Sequence, residues 1–248
     1  MNYQIIILAA GKGTRMGTNA LPKVLMPIDG VPMISLLTQE IKKLNFQYKP
    51  VIVVGFRYEL VQAHLGQDYI YAFQNQQLGT GHAVMSAKDK VQAENVVVLN
   101  GDMPFIKVES IQKMIKKHFS SNSVMTMFTT DIKELNALDN PLIHYGRIIR
   151  DNGKIAKIVE FLDATEDQRN ITEVNPGEYM FNAKWLFKNL NQIRKNNKQS
   201  EYYLTDILEI ATKQNIEVQS LQINAKEMFG INTNNQLMSA QHNMENLL

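Results

Sequence analysis

Apolar and polar positions follow two periods in the first half of the chain. Short runs rich in Val and Ile at 4–9, 50–55, 69–73, 95–99 and 123–128 read as strands, while 33–44, 57–65, 80–90 and 109–118 carry apolar residues at helical spacing. Strand–helix alternation of this kind predicts a parallel sheet covered by helices on both faces. Such sheets bind ligands beyond the carboxyl ends of their strands, so the loops at 10–22, 74–79 and 100–104 are expected to converge at one edge.

The regularity weakens after about residue 129. "TTDIKELNALDNPLIHYG" is polar and turn-rich, and "RIIRDNGKIAKIVEF" reads as a hairpin turning at Asn152-Gly153; together they are expected to form an insertion lying over the sheet edge. A polar stretch at 194–200 precedes a helix from about 203 to 213, a strand at 217–223 and a closing helical pattern over 234–248.

Composition narrows the partner more than the fold. A chain of 248 residues sits near the upper end of the single-domain range. The net charge is +2 and the 20% of charged residues form no single-sign blocks, so neither a nucleic acid nor a membrane surface is indicated and a small-molecule partner is favoured. The absence of cysteine removes disulfides, thiolate metal sites and a cysteine nucleophile together. "MNYQIIILAA" has no basic segment before its short apolar run, which is too brief for a signal sequence or membrane span, so a cytoplasmic location is expected. Histidines 64, 82, 118, 144 and 242 show no paired metal spacing and read as surface or packing residues.

Candidate chemistry concentrates in "LAAGKGTRMGTNALPK", residues 8–23. Gly11, Gly13 and Gly17 permit a backbone wrapped around phosphate, although the glycines alone are equally compatible with a plain turn between strand and helix. A Walker loop is excluded, because no glycine stands five residues before Gly11 and Gly13 separates Lys12 from Thr14. The dinucleotide fingerprint is matched poorly, with its third glycine one position late. Cations give the direction: Arg15 and Lys23 suit phosphates whose charge changes during reaction, and Pro22 presents Lys23 from an extended backbone. Two more segments fall at the same edge. "FQNQQLGTGHA" is an ordinary helix entry or a polar reader of a base. Asp102, at the end of "VVVLNGD", is a turn residue or a carboxylate placed to share Mg²⁺ with nucleotide phosphates.

The pattern L-x-x-G-x-G-T-x-M followed by P-K resembles the signature of the sugar-nucleotide pyrophosphorylases. "QLGTGHA", "HYGRI", "KIVEF", "TEVNPGEY", "SEYYLTD" and "FGINT" occur in the order found in the N-acetylglucosamine-1-phosphate uridylyltransferase group. The resemblance implies a Rossmann-like α/β fold with a mixed, mostly parallel sheet flanked by helices and a sugar-binding insertion. It implies a single nucleotidyltransferase domain over 1–248, with a nucleotide half at about 1–128 and a sugar-binding, closing half at about 129–248. Carried over residue by residue, Leu8, Ala9, Ala10, Gly11, Lys23, Gln74, Gly79, Thr80, Asn100 and Asp102 would bind the nucleotide. Gly146, Glu160 and Asn175 would line the sugar site, Asp102 and Asn232 would hold Mg²⁺, and Arg15, Lys23 and Asp102 would be catalytic.

Taken singly, Glu160 reads as a solvated strand residue, Asn175 as a turn and Asn232 as a cap; their joint order supports the site reading. The implied reaction is Mg²⁺-dependent transfer of a uridylyl group from UTP to N-acetylglucosamine 1-phosphate. The alternatives are another sugar 1-phosphate or nucleotide, or a non-catalytic nucleotide-sugar binder. The chain departs from the group at Asn100, Phe161-Leu162 and Pro176. Bifunctional members continue into an acetyltransferase β-helix, which is not expected in a chain ending at Leu248, and oligomeric state is not legible.

Overall fold

The first strand, β1 (Tyr3–Ala9), turns Ile5, Ile7 and Ala9 to one face and Ile6 to the other, all buried, which requires cover on both sides. Full burial of one such isoleucine contributes about 1.5–3 kcal/mol. The computed structural model describes residues 1–17, 21–134 and 140–242. After β1 come a small hairpin of β2 (Pro27–Ile28) and β3 (Val31–Pro32), then α1 (Met33–Lys42), β4 (Val51–Val54), α2 (Tyr58–Leu65), β5 (Ile70–Phe73), α3 (Thr80–Ser86), β6 (Asn95–Asn100), α4 (Val108–Ser120) and β7 (Met125–Asp131). Strands β5, β4, β1 and β6 are adjacent and parallel, with Ile7 in register with Ile52 on one side and Leu99 on the other.

The second half supplies β8 (Gly146–Asp151), β9 (Lys154–Val159), α5 (Glu166–Arg169), β10 (Glu173–Asn175), β11 (Tyr179–Asn182), α6 (Ala183–Asn189), α7 (Ile207–Lys213), β12 (Gln219–Gln222) and α8 (Asn234–His242). A mixed sheet of ten strands runs through both halves in the order β5-β4-β1-β6-β11-β7-β10-β8-β9, with β12 also on β7. Apolar residues of α1, α4 and α8 pack on one face and those of α3, α6 and α7 on the other. Among the described residues no helix is long and apolar enough to cross a membrane.

The alternating first half matches the expected order of elements, and the second half differs from the sequence reading in instructive ways. The region from 146 to 175 does not lie over the sheet edge: β10, β8 and β9 extend the sheet in its own plane by antiparallel pairing. Its hairpin turns at Asn152 (φ 48°) and Gly153 (φ 80°), the two positive-φ positions a tight right-twisted hairpin needs. Strand β11 is so short, and its entry through Pro176-Gly177 so turn-like, that no alternation announces it. The helical pattern at 80–90 breaks after Ser86 into a separate turn at Lys88–Lys90, and the one near 203 begins as a tight turn at Leu204–Asp206. Residues 18–20 of the glycine-rich loop, 135–139 of the polar stretch and 243–248 of the closing pattern lie outside the described residues.

Candidate active site

The loop leaving β1 folds back on Lys23. Gly13 is left-handed (φ 69°), and a Cβ there would sit 3.0 Å from the Cβ of Lys23, so glycine is what lets the loop close against that side chain. Pro22 holds an extended backbone (φ −53°, ψ 141°) and Lys23 opens the short turn Lys23–Leu25. From there the Lys23 ammonium ion-pairs with Asp102 and donates to Asn232 Oδ1 at 2.7 Å, while Arg15 Nη2 donates to the same oxygen at 3.0 Å. Residues 79, 209 and 217 positions apart thus meet at one point.

Backbone and buried side chains fix this cluster. Gly101 N–H donates to Leu8 O at 2.9 Å, locking the β6 exit onto β1, and Ile231 N–H donates to Asp102 O at 3.0 Å. Asn232 N–H donates to Gln236 Oε1 at 2.7 Å. The Tyr145 hydroxyl accepts from Gly230 N–H and donates to Met228 O, both at 3.0 Å, and burial pushes its pKa well above the ordinary tyrosine value, keeping it a donor.

At the opposite wall, Gln74 Nε2 lies 3.1 Å from Gly79 O and 3.1 Å from His82 Nδ1, so both its N–H groups are engaged and its carbonyl oxygen is the end left to a ligand. Segment 201–204 is laced onto this wall: Tyr202 N–H donates to Leu78 O, Gly81 N–H to Tyr202 O, and Leu204 N–H to Thr80 Oγ1. Gly79 has φ 106° and its Cβ would stand 2.6 Å from Tyr202 O, so no other residue fits. These walls enclose a cavity of about 350 Å³ lined by Leu8, Ala10, Gly11, Arg15, Lys23, Gln74, Gly79, Thr80, Asn100, Asp102 and Asn232. Ala9 does not line it, because strand alternation turns its methyl into the core.

A second cavity, about 620 Å³, shares Arg15 and Asn232 with the first and is lined by Glu160, His144, Phe161 and Leu162 among others. Glu160 accepts from Thr205 Oγ1 at 2.9 Å; burial raises its pKa against that bond, helped by Asp206 and Asp163. Gly146 lies against Glu160, where a Cβ would be 3.4 Å from Oε2, and pairs in register with Asn175. Asn175 is buried at the end of β10, donating to Tyr179 Oη at 2.7 Å and accepting from Gly177 N–H at 3.2 Å. Glu160 therefore faces the second cavity, whereas Gly146 and Asn175 line neither and sit in the adjoining strands.

Some residues at the site escaped the sequence reading. Gln77 donates to Ala10 O at 2.6 Å, and Gln77 and Glu201 line the first cavity. Glu178 is fully buried and binds the cavity-lining Asn100. For a metal, the donor set is two hard oxygens, from Asp102 and Asn232, which already face cationic groups, the Lys23 ammonium on both and the Arg15 guanidinium on Asn232; this suits a divalent ion that takes its other ligands from phosphate and water. Among the described residues there is no group of three or more His, Cys, Asp or Glu side chains that could hold a metal alone.

A family model described as the MobA-like NTP transferase domain matches residues 5–201. The chain belongs to the MobA-like NTP transferase family. Like its family, it is a nucleotidyltransferase, and the first cavity lies beyond the carboxyl ends of β1 and β6, where open parallel sheets bind ligands. A bifunctional protein GlmU from Geobacillus sp. (strain WCH70) is 44% identical over 208 residues, covering 83% of this chain and 43% of the relative. The bifunctional protein GlmU of Clostridium novyi (strain NT) is 37% identical over 244 residues, covering 97% of this chain and 52% of the relative. This NTP transferase domain thus spans about half the length of those curated relatives. In fold it is similar to a UDP-glucose pyrophosphorylase solved with UDP-glucose, with a TM-score of 0.79, 18% identity and 99% of each chain covered.

Proposed function

We propose that the protein transfers a uridylyl group from UTP to N-acetylglucosamine 1-phosphate, releasing pyrophosphate, as a single cytoplasmic nucleotidyltransferase domain. The observation that carries this reading is the meeting of Lys23, Arg15, Asp102 and Asn232 between two joined cavities. The nucleotide occupies the first cavity, its base against Gln74, Gly79 and Thr80, and the sugar the second, against Glu160. The motif order from Gln74 to Asn232 supports uracil and N-acetylglucosamine as the base and sugar.

A phosphate oxygen of the sugar phosphate attacks the α-phosphorus of UTP; that P–O bond forms as the bond to the bridging oxygen of pyrophosphate breaks. The attacking oxygen is already anionic, so no general base is required, and positioning with charge stabilisation supplies the rate. Lys23 and Arg15 take the charge that grows on the departing pyrophosphate. Asp102 and Asn232 would hold Mg²⁺, which supplies neutralising charge between the phosphate groups when bound.

The test is pyrophosphate release from UTP with N-acetylglucosamine 1-phosphate, run against glucose 1-phosphate, other sugar phosphates and dTTP. Release is expected to be fastest with the first pair and to stop when EDTA removes divalent metal. Preference for another pair would reassign the substrates, and UTP binding without pyrophosphate release would reduce the protein to a nucleotide-sugar binder.

A further inference from the structure

Glu178 has no exposed surface and lies against Asn100, which lines the nucleotide cavity. Its own carbonyl accepts from Phe128 N–H at 3.2 Å, and the next residue begins β11, with Tyr179 in register with Val98 of β6 and Met127 of β7. Among the described residues its carboxylate oxygens receive hydrogen bonds from Asn100 alone: the backbone N–H at 3.2 and 3.0 Å and the side-chain Nδ2 at 3.2 Å. Asn100 Nδ2 also donates to Gly177 O at 3.1 Å. A buried carboxylate without a cation is costly, and one aimed at a single cavity-lining side chain calls for a reason at that side chain.

The Gly177 carbonyl facing the Asn100 amide can only accept, so the amide turns its NH₂ toward it and toward the Glu178 carboxyl group, whose pKa burial raises well above the ordinary glutamate value against its bonds from Asn100. Both N–H bonds are then used inside the protein, and the carbonyl oxygen is directed to the other side, where Asn100 lines the cavity. Gly177 secures this arrangement, since a Cβ at its φ of 97° would stand 2.8 Å from Asn100 Nδ2.

We infer that Glu178 is a positioning residue that locks the Asn100 side chain as an acceptor-only group, which receives a hydrogen bond from an uncharged hydroxyl of a bound substrate. That hydroxyl belongs either to the ribose of the nucleotide or to the sugar ring of the second substrate. An amide free to rotate would serve an acceptor as well as a donor; Glu178 removes that choice and makes the position selective. The inference rests on the nucleotidyl-transfer reading.

The experiment compares wild type, Asn100→Ala, Glu178→Gln and the double variant, with 2′- or 3′-deoxy nucleotides and monodeoxy sugar 1-phosphates beside the parent substrates. Glu178→Gln places an NH₂ in the cradle and so opposes the Asn100 orientation while keeping size. Each single variant is expected to raise the KM of one substrate about tenfold, the scale of one hydrogen bond, with the other KM within about twofold. The double variant should be no worse than the worse single one. One deoxy analogue should lose about tenfold in kcat/KM on wild type and nothing further on Asn100→Ala; whether it is a nucleotide or a sugar identifies the source of the hydroxyl. Additive losses, equal changes in both KM values, or no analogue whose penalty vanishes in Asn100→Ala would overturn the inference. The analogue comparison on wild type needs no folded variant: if no deoxy analogue is penalised, the inference fails. Absence of pyrophosphate release by wild type would instead refute the function on which it rests.

Discussion

The two ends of the site are built in opposite ways. At the proposed nucleotide end, Arg15 and Lys23 stand on a glycine-rich loop and reach Asp102 and Asn232 across its mouth, so the chemistry is written in charged side chains at strand exits. At the proposed sugar end, Glu160 faces the second cavity and is held by Thr205, while Asn175, in an adjoining strand outside the cavity, is held by Tyr179. In the proposed reaction the first arrangement stabilises charge that changes and the second fixes a shape. A loop of cations can be altered with little effect on the fold, whereas a buried polar residue serves binding and stability together.

Replacing the charges should break this comparison most strongly. Lys23→Ala or Asp102→Asn is expected to lower kcat by about 100-fold or more, the scale of one preorganised electrostatic contact, with melting temperature nearly unchanged. Steady-state turnover alongside calorimetry checks it, and normal turnover in both folded variants would remove these residues from the reaction. At the other end, Glu160→Ala should raise the sugar-phosphate KM by about tenfold and leave the UTP KM within about twofold. The reverse split would move Glu160 out of the sugar site.

The smallest expected effect is on stability against pH. Asp206, adjoining Glu160, has its pKa raised to about 6 by burial and by Glu209, with Lys157 opposing and Asp163 adding. The folded state then binds more protons than the unfolded one between the ordinary aspartate value of 3.8 and about 6. Stability from this group is complete below that range and falls as pH rises through about 6. Unfolding curves from pH 4 to 7 should show Asp206→Asn gaining on wild type as pH rises; parallel curves would show that the carboxyl titrates normally.

What could be read in the sequence follows the same division. The parallel strands announce themselves by Val and Ile runs, and the nucleotide loop by glycines, Pro22 and cations within a few residues, because local patterns decide both. Asp102 and Asn232 were legible as candidates, though their meeting at Lys23 depends on Ile231 docking on Asp102, a contact no local pattern encodes. Glu178 went unnoticed because its meaning lies in Asn100, far away in sequence. The in-plane placement of β8 to β10, and the retreat of Gly146 and Asn175 from the cavities, follow from pairing between distant strands, which alternation does not specify.

Strand β11 adds a constraint of timing. β6 and β7 follow one another in the chain yet never pair, because residues 179–182 lie between them. Until those residues leave the ribosome, two apolar strands each keep an open edge, and the first half of the chain waits for a piece made some fifty residues later. The halves are thus inseparable in assembly: the first cannot be finished, or kept safe from edge-to-edge sticking, before the second has begun.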